Sequence, residues 1–198
     1  KNIETLSNYY ASKKLFASAI EKNKEAAAVA KEHAVAFDYW GNSIKLGDLY
    51  FAKGDFETAK KEFYAALELL KTNPQASEKN YIINYRKIAV VQNQLQNYDE
   101  AIRANKEVLA RLENSQNTDA YTTQLNKLGY SYQKSGNTKE ALAYFLNTLK
   151  TREQNGFTDE DNRALLINIG IAYQNLHKTE TAKTYLQRAQ KASTQPDQ

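Results

Sequence analysis

The run TDEDN at 158–162 has the residue types of a calcium loop, since a hard divalent cation takes carboxylate and amide oxygens. It lacks the alternating acids, central glycine and distal glutamate that such a loop needs. Thr158 and Asp161 have the spacing of a capping box instead, so the run reads as a solvated helix start. His33 and His177 stand far apart, with no carboxylate or histidine at ligand spacing, and read as surface or turn residues. Cysteine is absent, which excludes thiol catalysis, disulfides and thiolate metal sites. No nucleophile–base pair, paired carboxylates or metal cluster recurs on a common face, so the chain reads as no enzyme, with no cofactor and no metal. Lys45, Lys87 and Lys127 do recur, each one residue before a shared signature. They form either a basic stripe toward an acidic partner or, the preferred reading, solvated stems that cover apolar surface.

With so little chemistry, the elements themselves carry the information. Hydrophobic residues make up 41% and charged residues 25%, the balance of a folded chain rather than a disordered one. No apolar run is long enough to cross a bilayer, so no membrane contact is expected within the chain. Only two prolines occur, which favours long uninterrupted helices. The net charge of +4 is spread as interspersed signs without a basic block, a weak footprint for nucleic acid. Lack of cysteine suits the cytoplasm and the periplasm equally. The compartment stays open.

The chain repeats itself. LGDLY at 46–50 returns as IAVVQ at 88–92, LGYSY at 128–132 and IGIAY at 169–173, with a weaker copy, LSNYY, at 6–10. The steps are 40, 42, 40 and 41 residues. Thirteen residues after each signature begins stands an alanine: Ala19, Ala59, Ala101, Ala141 and Ala182. Apolar residues such as Leu46, Tyr50, Phe56, Phe63 and Ala66 follow helical spacing on either side of a break. Gly54 and Gly136 suit left-handed helix ends there, and Asp55, Asn97 and Asn137 suit the next N-cap. Each unit is therefore a helix–turn–helix. Gly47, Ala89, Gly129 and Gly170 on the first helix are expected to face the alanines on the second, with Tyr50, Tyr132 and Tyr173 filling the space beside them.

The pattern W-x5-LG-x2-Y-x3-G-x-F-x2-A-x3-F-x2-A, from Trp40 to Ala66, resembles the tetratricopeptide repeat. The resemblance covers nearly the whole chain. It implies an all-α, right-handed α-solenoid of five helix–turn–helix repeats. One array over 1–190 divides into units of about 1–39, 40–81, 82–121, 122–162 and 163–190, followed by a polar tail at 191–198. The period of 40–42 exceeds the family's usual length of about 34 and resembles the variants of kinesin light chains and bacterial signalling proteins. Asn23 and Asn105 stand where Phe63 and Phe145 recur, and Gln92 replaces the tyrosine, so packing in those units departs from the pattern. Trp40 is expected at a unit junction.

In this family the first helices line a concave groove, which implies where a partner would bind. The implied groove residues are Asp48, Phe51, Arg86, Val90, Asn93, Gln94, Asn126, Tyr130, Gln133, Lys134, Ile167, Ile171, Gln174 and Asn175. Asn93, Gln94, Gln133, Gln174 and Asn175 make an amide ledge able to pair with the backbone of an extended peptide, or are simply solvated. Tyr130 with Arg86 and the nearby aliphatics has the composition of a binding anchor. The carboxylate clamp that grips chaperone tails is not matched, because Glu4 with Asn8 and Ile83 with Lys87 fail its paired positions.

The expected function is a non-catalytic protein–protein interaction module that holds a protein or peptide partner, as a peptide or helix, in the groove. The family analogy places it within a larger bacterial signalling or scaffolding protein. An alternative comes from the fifth unit, whose Tyr185, Leu186 and Ala189 are expected to leave an uncapped apolar C-terminal face that docks the rest of its own chain. A helical-repeat nucleic-acid binder is disfavoured by Asp48, Ile167 and Ile171 on the groove side.

Overall fold

The computed structural model describes residues 3–32, 36–113, 115 and 117–192, and His33 lies outside them. Among the described residues there are ten α-helices and no strand. They run as α1 (Ile3–Ser12), α2 (Phe16–Glu32), α3 (Ala36–Lys53), α4 (Phe56–Thr72), α5 (Glu78–Gln94), α6 (Tyr98–Leu112), α7 (Thr118–Lys134), α8 (Thr138–Gln154), α9 (Arg163–Asn175) and α10 (Thr179–Lys191). Each repeat signature lies on an odd-numbered helix and each recurrent alanine on the next one. Helices α1–α5 belong to one compact unit, Lys1–Asn97, and α6–α10 to a second, Tyr98–Gln198. Within each unit, consecutive helices pack against one another.

The turns inside the helix pairs are built alike. Lys14, Gly54, Gln96, Gly136 and His177 all have positive φ, between 57° and 88°. The N–H of the following residue then reaches back to the carbonyl at the signature's last position: Leu15 to Tyr10, Asp55 to Tyr50, Asn97 to Gln92, Asn137 to Tyr132 and Lys178 to Tyr173, each at 2.9 Å. These are Schellman closures, which satisfy carbonyls left over at a helix end. Glycine marked two of them in the sequence. The other three put a side chain in the left-handed region, so composition alone did not reveal them. The expected N-caps divide: Asp55 accepts from the Thr58 N–H at 3.1 Å, whereas Asn137 makes no capping bond and donates to Ser135. The Asn97 amide donates to Gln92 Oε1.

The small residues of the first helices are required by their own partner helix, but not mainly by its alanine. A Cβ on Gly47 would lie 2.4 Å from the Phe63 ring, and one on Gly129 2.6 Å from the Phe145 ring. On Gly170 it would meet Leu186 at 2.6 Å. The alanine supplies only its backbone, with the carbonyls of Ala141 and Ala182 at 3.3 and 3.4 Å. This corrects the expected glycine-to-alanine pairing: the glycine makes room for the bulky residue four positions after the alanine. Phe63 and Phe145 are thereby buried, each contributing about 1.5–3 kcal/mol. Where that bulky residue is replaced by Asn23 or Asn105, the first helix carries Ser7 or Ala89 instead of glycine. The buried Ser7 hydroxyl donates to the carbonyl of Ala19. Tyr132 and Tyr173 stack on Tyr144 and Tyr185, with centroids 5.4 and 5.6 Å apart, beside that contact.

Between successive pairs, a second device appears. Four residues before each signature stand Asn42, Asn84 and Gln124, all buried. Each reaches the preceding pair's second helix at the bulky position. Asn84 Nδ2 donates to the Phe63 carbonyl at 2.8 Å and Gln124 Nε2 to Asn105 Oδ1 at 2.7 Å, while Asn23 Nδ2 approaches Asn42 Oδ1 at 3.4 Å. Asn105 in turn donates to the buried Ser131 hydroxyl. Trp40 Nε1 donates to Asn84 Oδ1, which places that indole at a junction between repeats. At the same place before the last signature stands Leu165, in an apolar cluster with Phe145. An amide match, an amide on the bulky residue's own carbonyl and an apolar match each close the junction. A buried amide without such a partner would be stranded.

Two stability measurements test this packing. Gly129→Ala should lower the unfolding free energy by about 1–3 kcal/mol through overpacking, and its cost should shrink in a Phe145→Ala background, where the ring is gone. A cycle without coupling would mean that the ring is not the constraint. Gln124→Leu leaves Asn105 Oδ1 without its donor and should cost about 1–3 kcal/mol by chemical denaturation, despite the apolar gain.

Candidate interaction surface

The first-helix residues expected in the groove separate into two groups. Val90, Tyr130 and Ile171 occupy the same position, two residues into their signatures, and all three are exposed, by 44%, 42% and 38%. Large apolar side chains this open on packed helices are a spent opportunity for burial unless something covers them. In the second unit, α9 lies beside α7, so Tyr130 and Ile171 are carried by neighbouring first helices. Around them stand half-buried Asn126 and Gln133 and exposed Lys134, Gln174 and Asn175. The Lys134 ammonium lies 5.3 Å from the centroid of the Tyr130 ring, one turn along α7.

Other residues are drawn elsewhere. Ile167 packs against the cluster of Leu165, Leu166 and Ile169, and Phe51 meets Phe56 edge-on at 5.1 Å, across the turn of its own pair. Asp48 is held by Lys87, whose ammonium lies 2.6 and 2.7 Å from the two carboxylate oxygens. Lys45 reaches the Glu4 carbonyl at 3.5 Å, and burial pushes its pKa down. Thus two of the three recurrent lysines tie a first helix to the one before it, which neither the stripe nor the solvated-stem reading described. In the first unit Arg86 and Asn93 are half-buried and Gln94 is exposed.

One further expectation changes on the structure. Thr158 and Asp161 form the reciprocal bonds of a capping box, but the box closes a turn, and α9 begins only at Arg163 behind Asn162. Two acids of that run have partners within the protein, Asp161 in the box and Asp159 in an ion pair. Asp159 binds Arg188, which also reaches Glu153, and Arg152 joins Asn162 Oδ1 to Asp119 while lying over the Phe157 ring. Of the apolar residues expected on the face of the last repeat, Ala189 is buried, whereas Leu186, against Gly170, and Tyr185, stacked on Tyr173, are half-buried. His177 is the exposed turn residue of its pair.

The residues missed as functional in the sequence are the buried amides. Asn42, Asn84 and Gln124 look like any other amide in an amide-rich chain, but their fixed place four before the signature start was a readable signal. They position the first helices on which the exposed side chains stand.

Tandem helix pairs with an apolar and polar face left open on the first helices define a helical-repeat protein-interaction scaffold. The tetratricopeptide repeat model matches residues 40–114 and 119–195, and the chain belongs to that family. Its fold is similar to the nearly identical TPR-like repeats of a kinesin light chain from Podosopora anserina, with a TM-score of 0.84 at 15% identity over 96% of this chain and 93% of that one. It is similar also to BtubC (BKLC) from P. vanneervenii, with a TM-score of 0.84 at 20% identity over 99% and 82%. A third likeness is to MamA from Desulfovibrio magneticus RS-1, with a TM-score of 0.76 at 14% identity over 99% and 96%. No curated protein matches the chain in sequence. Among the described residues, no helix is long and apolar enough to cross a membrane.

The Asp159–Arg188 contact makes a pH prediction. The hydrogen bond from Arg188 holds the Asp159 carboxyl below its ordinary 3.8. A group depressed in the folded state stabilises above its unfolded pKa and loses that contribution as pH falls through the folded value. The stability gap between the wild type and Asp159→Asn should therefore be constant near neutrality and close below about pH 4. A gap that persists at pH 2 would assign the effect to packing instead.

Proposed function

We propose that this protein is a non-catalytic interaction module that binds a peptide or helix of another protein along the open face of its first helices, within a larger signalling or scaffolding protein. The observation that carries the reading is the exposure of Val90, Tyr130 and Ile171 at one repeat position. Side chains at the neighbouring signature positions 0, +1 and +3 of these repeats (Ile88, Ala89, Val91; Leu128, Gly129, Ser131; Ile169, Gly170, Ala172) are buried by the repeat packing itself. The position that stays open in these three repeats is therefore set by the helix geometry, whereas Asp48 at the same position is half-buried and paired with Lys87. An aromatic ring with a cation over it, beside an aliphatic side chain and amides, has the composition of a binding hot spot and its rim.

The wild-type chain and a Tyr130→Ala, Ile171→Ala variant, each immobilised, are compared as baits in lysate of the source cells. Both substitutions are on exposed side chains, so the variant should unfold within about 0.5 kcal/mol per site of the wild type. A partner held by the wild type should be lost from the folded variant. Equal capture by both would remove this face from the binding site.

A further inference from the structure

We propose that Tyr132 and Tyr144 form an oxidative cross-linking site, at which a one-electron oxidant joins the two rings as a dityrosine and staples α7 to α8. The chain has no cysteine and no methionine, so the sulfur atoms that ordinarily take up oxidising equivalents are missing. What remains is chiefly 14 tyrosines and one tryptophan, Trp40, which is buried. Tyr132 stacks on Tyr144 with centroids 5.4 Å apart and planes 11° from parallel, and Tyr173 on Tyr185 at 5.6 Å and 18°. Parallel rings at that spacing are offset and in contact. Both pairs occupy the same repeat positions, four and sixteen residues after the signature start, one on each helix of the repeat. The other repeats carry Tyr10 with Lys22, Tyr50 with Glu62 and Gln92 with Ala104 there, so these positions can join ring to ring only in the last two.

The surroundings favour the first pair. The Tyr132 and Tyr144 hydroxyls lie within hydrogen-bonding reach of each other, which brings the ring carbons ortho to them to the same end of the stack. Lys106, on α6, stands 5.8 Å from the Tyr132 centroid and reaches its hydroxyl. A cation there eases loss of the phenol proton that must accompany oxidation. Beside Tyr185 the Glu153 carboxylate acts in the opposite sense. In the reaction each phenol gives up one electron and one proton, and the ring carbons ortho to the two hydroxyls bond to each other. The hydrogen on each of those carbons then moves through water to its own ring's oxygen, which restores both phenols. Hydrogen peroxide, working through a haem peroxidase, accepts the two electrons and two protons and leaves as two molecules of water. Packing already holds the partners together, so coupling within the chain outruns coupling between chains.

Treating the full chain with hydrogen peroxide and a haem peroxidase, at low micromolar protein, tests this directly. The product should stay monomeric on a denaturing gel, lose two hydrogen atoms in mass per link and show the fluorescence of a biphenol. Trypsin should release a species joining residues 128–134 to residues 140–150, with fragmentation placing the bond on Tyr132 and not on Tyr130. Tyr144→Phe and, separately, Tyr132→Phe keep the stacked ring, so both should fold, as read by circular dichroism, and both should lose that species. Oxidation should also raise the unfolding temperature of the wild type more than that of Tyr144→Phe, because a bond between the helices constrains the unfolded chain. Links that form only between chains, a linked species that survives Tyr144→Phe, or none above the level of the variants, would overturn the site. A mapped link that leaves the unfolding temperature unmoved would overturn the staple.

Discussion

Everything in this fold depends on how closely the two helices of a repeat approach. At Gly47, Gly129 and Gly170 even a single Cβ would fall within 2.6 Å of a side chain on the partner helix. Contact at that range buries a whole phenylalanine, Phe63 or Phe145, against bare backbone, and dense interiors tolerate little change there. The four turns that lie within a unit, at Lys14, Gly54, Gly136 and His177, serve the same end. A left-handed residue followed by a 2.9 Å bond back to the signature's last carbonyl reverses the chain within a few residues, so the second helix returns alongside the first.

Close pairing fixes which side of each first helix is left over. Three signature positions turn inward, one toward the partner helix and others toward the preceding repeat, through Leu46 and Leu49 on Ala19 and Ile20, for example. The remaining direction bears Val90, Tyr130 and Ile171. The junctions between repeats add a polar clasp where the sequence has asparagine or glutamine, and an apolar one where it has Leu165 and Phe145. A buried amide match is specific because its alternatives leave a donor or acceptor stranded. Within a unit, that specificity fixes the register of one helix on the next and so orients the open face.

The helix pairs were legible because their signals are local: a period of about four residues, a glycine or asparagine at the break, and a fixed distance to an alanine. Three of the five left-handed turn residues escaped notice because lysine, glutamine and histidine do not announce that conformation. The exchange of Gly47 and Gly129 for Ser7 and Ala89 wherever Asn replaces Phe was also present in the repeats, as a compensation between two positions sixteen residues apart. It gains meaning only once Gly47 is seen against Phe63 and Gly129 against Phe145.

By itself the sequence determined that this chain is a set of helix pairs with one small-residue seam, since both follow from spacing within a few turns of chain. Only the tertiary structure decided which amides are buried clasps and which stand in the open. Asn84 and Gln174 are the same chemistry to a sequence reader, yet one bonds a carbonyl 21 residues away and the other lies exposed. Burial belongs to the packing of one repeat on the next. The same holds for Leu186, whose contact with Gly170 no linear spacing announced.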